Sequence, residues 1–113
     1  MKLHEVCDIV NGTIQYDSET EHDYTKAFAS DLMSDVLRFS MENTVLITGL
    51  SVVQTIRTAE ISGVTCIVIA RDKKVTKEML DLASECNISI ITSKLSLYEI
   101  SGVLYMHGLK PIY

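Results

Sequence analysis

The sequence predicts an α/β fold: a three-layer, mainly parallel sheet with helices on both faces, plus an N-terminal helix and an edge hairpin. Three observations predict it. Thr44–Thr48, Val64–Ala70 and Ile88–Thr92 are short, apolar runs rich in β-branched residues. Each is followed by a stretch with helical periodicity. No strand in this group alternates cleanly between apolar and polar, so both of its faces are buried. Strand–helix alternation then gives parallel pairing through right-handed crossovers.

The elements follow in order. Over Lys2–Val10, the residues Leu3, Val6, Cys7 and Val10 make one apolar helical stripe, which Asn11-Gly12 ends. Thr13–Tyr16 alternates and reads as a strand. The acidic run Asp17–Asp23 lacks an apolar anchor and reads as a turn, with Tyr24–Ala29 as the returning strand of a hairpin. A second helix is expected over Asp31–Phe39, with Ser30 as N-cap and Asp31 in the first turn. After Thr44–Thr48 and the Gly49-Leu50 turn, Ser51–Ser62 is a helix stopped by Gly63. Val64–Ala70 leads through a polar link to the helix Thr76–Cys86, which Asn87 ends. Ile88–Thr92 precedes the last helix, Leu95–His107, which Gly108 ends.

The length of 113 residues fits a single domain over 1–113. A net charge of −5 argues against a nucleic-acid footprint, which needs a clustered basic surface. No apolar run approaches the roughly 20 residues of a membrane span, and Met1–Val10 lacks a signal peptide's apolar stretch. Cys7, Cys66 and Cys86 have no metal or redox spacing, which points to a reduced, cytoplasmic setting.

Named chemical motifs are missing. There is no GxxxxGK[ST], no GxGxxG and no GxSxG. His4, Cys7 and Asp8 share a helical face, but no fourth ligand follows at a known spacing, so no metal site is expected. No catalytic constellation and no cofactor are expected either.

What remains is the sheet's carboxyl edge, where open parallel sheets bind ligands and helix N-termini present free N–H groups. Thr48-Gly49-Leu50-Ser51, Ala70-Arg71-Asp72-Lys73 and Thr92-Ser93-Lys94-Leu95-Ser96 reach it. Ser30, Asp31, Thr48, Gly49, Ser51, Thr92 and Ser93 are the candidate ligand-binding residues. If the strands ending at Thr48 and Thr92 are neighbours, their helix starts converge on one crevice suited to an anion or sugar-phosphate-like group. The plain alternative is that each hydroxyl caps its own helix. The Ser30-Asp31 and Ser34-Asp35 pairs read either as a cap with first-turn acids or as a polar helix start aimed at a ligand.

Four stretches carry a family resemblance: AFASDLMSDVLRF (Ala27–Phe39), NTVLITG (Asn43–Gly49), TAEISGVTCIVIA (Thr58–Ala70) and NISIITSKLSLYEISGVLYMHGL (Asn87–Leu109). They resemble the DRTGG-domain family in its small stand-alone version, which is similar to the N-terminal domain of HPr kinase/phosphorylase. The signature that names the family is replaced here by Gly49-Leu50-Ser51-Val52-Val53. The resemblance implies an α/β fold, a ligand-sensing role without catalysis, and self-association. The pattern persists at Ser30, Asp31, Ser34, Asp35, Thr48, Gly49, Thr92, Tyr98 and Glu99.

The expected function is a non-catalytic regulatory domain binding a small polar or anionic ligand at the carboxyl edge. The alternative is a protein-interaction module, a homodimer docking onto a kinase or metabolic enzyme, with Ser51 as a phosphorylation point. The apolar surplus of the last helix, with Tyr98 and Tyr105, leads to an expected homodimer, with this helix or the edge hairpin contributing. Nucleic acid and membrane are not expected partners.

Overall fold

A computed structural model describes all residues, 1–113. The elements in chain order are α1 (Leu3–Ile9), β1 (Thr13–Tyr16), β2 (Lys26–Ala29), α2 (Met33–Val36), β3 (Thr44–Thr48), α3 (Val53–Ser62), β4 (Cys66–Ile69), α4 (Lys77–Cys86), β5 (Ser89–Thr92), α5 (Leu97–Met106) and β6 (Lys110–Pro111). One six-stranded sheet has the order β1-β5-β4-β3-β2-β6. Every pairing is parallel except β1 against β5.

Strand alternation explains the three layers. Val45, Ile47, Cys66, Val68 and Ile91 point to one face, where Val6 and Val10 of α1 and Ile100 and Leu104 of α5 cover them. Leu46, Ile67, Ile69 and Ile90 point to the other, against Val36 of α2, Ile56 and Ala59 of α3, and Met79 and Ala83 of α4. β3 and β4 are buried along their whole length, as continuous apolar runs require.

The connections follow from this. The chain steps from β2 to β5 along the sheet, and each crossover helix (α2, α3, α4) lies on the same face. α5 then returns over the opposite face to place β6 beyond β2.

The sequence-based expectations need four corrections. First, β1 and β2 do not form a hairpin. They lie on opposite sides of the β3-β4-β5 core, and residues 17–25 cross between them. Tyr24 is buried in this crossing, its amide bonded to the Met1 carbonyl and its hydroxyl 3.3 Å from that of Thr65. Second, the helix expected over Asp31–Phe39 is one turn, Met33–Val36. Its start is delayed because Ser30 Oγ accepts from Leu32 N–H at 3.0 Å, making a local turn, while Asp31 is drawn to β3. Ser30 is therefore not an N-cap; Leu32 holds that position.

Third, α3 begins at Val53, and Ser51 does not cap it. The Ser51 hydroxyl donates instead to the Lys74 carbonyl. Fourth, β3 and β5 are not neighbours, because β4 runs between them. The crevice expected between their helix starts is therefore occupied by the segment that leaves β4. The stops at Gly63 and Asn87 match expectation, whereas the last helix begins at Leu97 rather than Leu95. Gly63 and Asn87 close α3 and α4 in the left-handed conformation, while Thr76 and Ser96 cap α4 and α5 by accepting from Met79 and Glu99 amides.

Candidate functional site at the carboxyl edge

Two polar arrangements stand side by side where β3, β4 and β5 end. The first is centred on Asp31. Its Oδ1 accepts from Gly49 N–H at 2.7 Å and from the Thr48 hydroxyl at 3.0 Å, and Thr48 Oγ1 accepts in turn from Leu50 N–H at 3.1 Å. Oδ2 faces both terminal nitrogens of Arg71 at 3.4 Å. The Gly49 N–H first, then the Thr48 hydroxyl and the Arg71 charge, hold the Asp31 carboxyl below the usual carboxylate range, against partial desolvation. Gly49 is buried beneath the Arg71 guanidinium, and a Cβ there would overlap it. The close approach over this glycine is thus made by an arginine of the same chain.

The second arrangement is a hollow of about 280 Å³ lined by Asn11, Thr13, Asp72, Thr92, Ser93 and Lys94, with no apolar residue. Its walls are firmly tied. The buried Ser93 hydroxyl donates to the Val10 carbonyl at 2.7 Å and accepts from Leu95 N–H at 3.2 Å. Thr92 Oγ1 accepts from the Gln15 side chain at 2.9 Å.

Arg71 and Asp72 join the two arrangements. Both are left-handed, at φ 65° and 57°. Their amides donate to the Leu95 and Ser93 carbonyls at 2.9 Å, which holds the strained pair against the β5–α5 loop. Asn11, on the hollow's rim, is left-handed as well.

The candidate residues therefore divide. Asp31, Thr48 and Gly49 come together, with Ser30 next to Asp31. Thr92 and Ser93 line the hollow, and Ser51 belongs to neither, since it holds the Lys74 backbone. Sequence reasoning placed Arg71, Asp72 and Lys94 on the rim without including them among the binding residues. Asn11 shows in the sequence only as a helix stop. Cys7, on the apolar stripe of α1, is buried in the core, and burial raises its thiol pKa. No helix is long and apolar enough to cross a membrane.

The chain is similar to a solved structure, the CBS and DRTGG domains of the regulatory region of Clostridium perfringens pyrophosphatase complexed with an activator, diadenosine tetraphosphate. The TM-score is 0.78 at 18% identity, over 90% of this chain and 45% of that one. The likeness is one of fold. It supports the DRTGG-related architecture that the sequence resemblance implies, and this chain spans less than half of the matched structure. No family model matches the chain, and no curated protein does.

Proposed function

We propose that this domain is a non-catalytic regulatory module that binds a small polar or anionic ligand at the carboxyl edge of its sheet, in the hollow between the ends of β4 and β5. One observation carries the reading. The link after β4 leads to α4 on one face, whereas the link after β5 leads to α5 on the other. In open α/β sheets such a reversal opens a crevice at the strand ends, and ligands bind there. In this chain the crevice is lined wholly by polar side chains and rests on strained backbone. Thr92, Asn11 and Thr13 offer hydroxyl and amide groups, and Lys94 offers a cation. That set suits a phosphorylated or polyhydroxylated metabolite. The similar structure is that of a regulatory region with a bound nucleotide activator, which is in keeping with this class of role.

The test is a thermal-shift screen with phosphorylated metabolites, followed by calorimetric titration of any hit. A ligand at about 100 times its dissociation constant adds about 2.7 kcal/mol. Lys94→Ala and Thr92→Val should each weaken it at least about tenfold. Binding untouched by both variants would remove the ligand from this hollow.

A second reading, self-association, is favoured by α5. Tyr98, Tyr105 and Met106 are 89%, 68% and 82% exposed. With Gly102 they form one stripe of the helix, beside an apolar hollow of about 160 Å³ between Ala27, Ala29 and Leu109. A two-fold antiparallel pairing of this helix would set the Glu99 end of one copy against the His107 and Lys110 end of the other. Light scattering should give a homodimer that Tyr105→Arg converts to monomer. A wild-type monomer at high micromolar concentration would eliminate the pairing.

A further inference from the structure

The Asp31 carboxylate is held by donors from two other segments. Gly49 N–H and the Thr48 hydroxyl lie 2.7 and 3.0 Å from one oxygen, and the Arg71 guanidinium lies 3.4 Å from the other. A backbone N–H, a hydroxyl and a planar guanidinium converging on one pair of oxygens form a donor set suited to a phosphate or a free carboxylate.

An ordinary surface ion pair does not account for the arrangement. Such pairs contribute little to stability and require nothing special of the backbone. Here the arginine sits at φ 65°, a conformation that a long side chain rarely adopts. Its guanidinium also covers a buried glycine whose Cβ would displace it. Both partners are 44% exposed, so an anion from solution has access to them. The surrounding links carry Lys73, Lys74 and Lys94, with Asp72 as the other carboxylate. On a chain of net charge −5, this rim becomes clearly cationic once Asp31 is set aside.

We propose that Gly49 N–H, the Thr48 hydroxyl and the Arg71 guanidinium form an oxyanion seat, that Asp31 is its built-in occupant, and that an external phosphate or carboxylate group binds by displacing it. The inference rests on the reading of the carboxyl edge as the ligand edge and adds a second position to it. Arg71 faces the seat and Asp72 lines the hollow, so one strained dipeptide serves both. Competition from Asp31 lowers the apparent affinity for an outside anion, because only the fraction of molecules with the seat open is competent to bind.

The experiment is a titration with inorganic phosphate, and in parallel with acetate, followed by the Gly49 amide resonance in NMR. Wild type, Asp31→Ala, Asp31→Asn and the double variant Asp31→Ala with Arg71→Ala are compared. Asp31→Ala should bind at least one of the two anions about tenfold more tightly than wild type, and adding Arg71→Ala should abolish the gain. Asp31→Asn keeps the side chain's size and one acceptor oxygen. It should shift affinity in the same direction by a smaller factor, and it decides the matter if Asp31→Ala does not fold. Tightening of phosphate, of acetate or of both supports the seat and names its chemistry. Tightening of neither in either variant, or a gain that survives Arg71→Ala, overturns it. The titration uses neither Lys94 nor a screened metabolite, so the hollow and the seat fail separately.

Discussion

The two ends of the sheet solve the same geometric problem with different residues. At the amino end, left-handed turns fall on Asn43, Gly63 and Asn87, residue types that accept a positive φ at little cost, and on Glu19, whose neighbour Ser18 bonds Ser89 at the start of β5. At the carboxyl end they fall on Asn11, Arg71 and Asp72. Arg71 has no short side chain to ease the conformation, and it is fixed there by the hydrogen bond its N–H donates to the Leu95 carbonyl and by its approach to Asp31. Only at the carboxyl end do two consecutive residues, Arg71 and Asp72, take this conformation, and there polar groups gather. Strain of this kind concentrates at binding sites, which is in keeping with the role proposed for the carboxyl edge.

Four measurements break or sharpen that contrast. The largest effect tests the frame that both ends share. Val68 is fully buried in β4, and Val68→Asp places an unpaired carboxylate between two apolar layers. It should cost several kcal/mol and unfold the domain, as seen by circular dichroism. A wild-type melting curve would refute the covered parallel sheet.

Next come two buried serines, one near each end. Ser62 donates to the Val36 carbonyl, while Ser93 both donates to Val10 and accepts from Leu95. Replacement by alanine should cost about 1–3 kcal/mol at each, more at Ser93, because it leaves two backbone groups without a partner. Equal or reversed losses in urea denaturation would mean that the Ser93 bonds do not hold the hollow's wall.

The third measurement compares the left-handed turns directly. Gly63→Ala should cost about 1 kcal/mol, since a Cβ is disfavoured at φ 82°. Arg71→Gly should be close to neutral, because about 1 kcal/mol of relieved strain offsets a half-exposed ion pair. If Arg71→Gly destabilises as much as Gly63→Ala, the strain argument fails.

The smallest effect is a pH dependence. The folded-state pKa of Asp31 is depressed, mainly by the Gly49 N–H. Its contribution is therefore present above the unfolded pKa of about 3.9 and is lost as pH falls through the lower folded value. The stability difference between wild type and Asp31→Asn should hold from about pH 7 to about pH 5 and shrink below about pH 4. A difference that stays constant to about pH 3 would show that Asp31 gains nothing from its partners.

The sequence made the sheet's centre legible because β3, β4 and β5 bury both faces and each ends at a recognisable stop. The N-terminal third was less legible for a physical reason. Where β1 and β2 join the sheet depends on strands that come later in the chain. A polar link such as Asp17–Asp23 looks the same whether it turns tightly or crosses the sheet. Ser30 and Asp31 misled as helix openers, since side chains that can cap a helix can also bond elsewhere. The site was half legible. Thr48, Gly49, Thr92 and Ser93 follow from the strand ends. The central part of Arg71 was hidden, because nothing in a run of polar residues announces a positive φ.

The sheet's two margins differ from its interior in a way that governs how copies of the chain can meet. At one margin β1 slips register between Ile14 and Tyr16, and this bulge breaks the row of backbone groups open to a further strand. At the other, β6 is only Lys110–Pro111. A proline has no N–H to offer, and a lysine beside it resists desolvation. Neither margin is a template for strand addition, so growth into extended sheet fibres is blocked from both sides. Association of this domain is then expected through its helical faces or loops rather than through added strands.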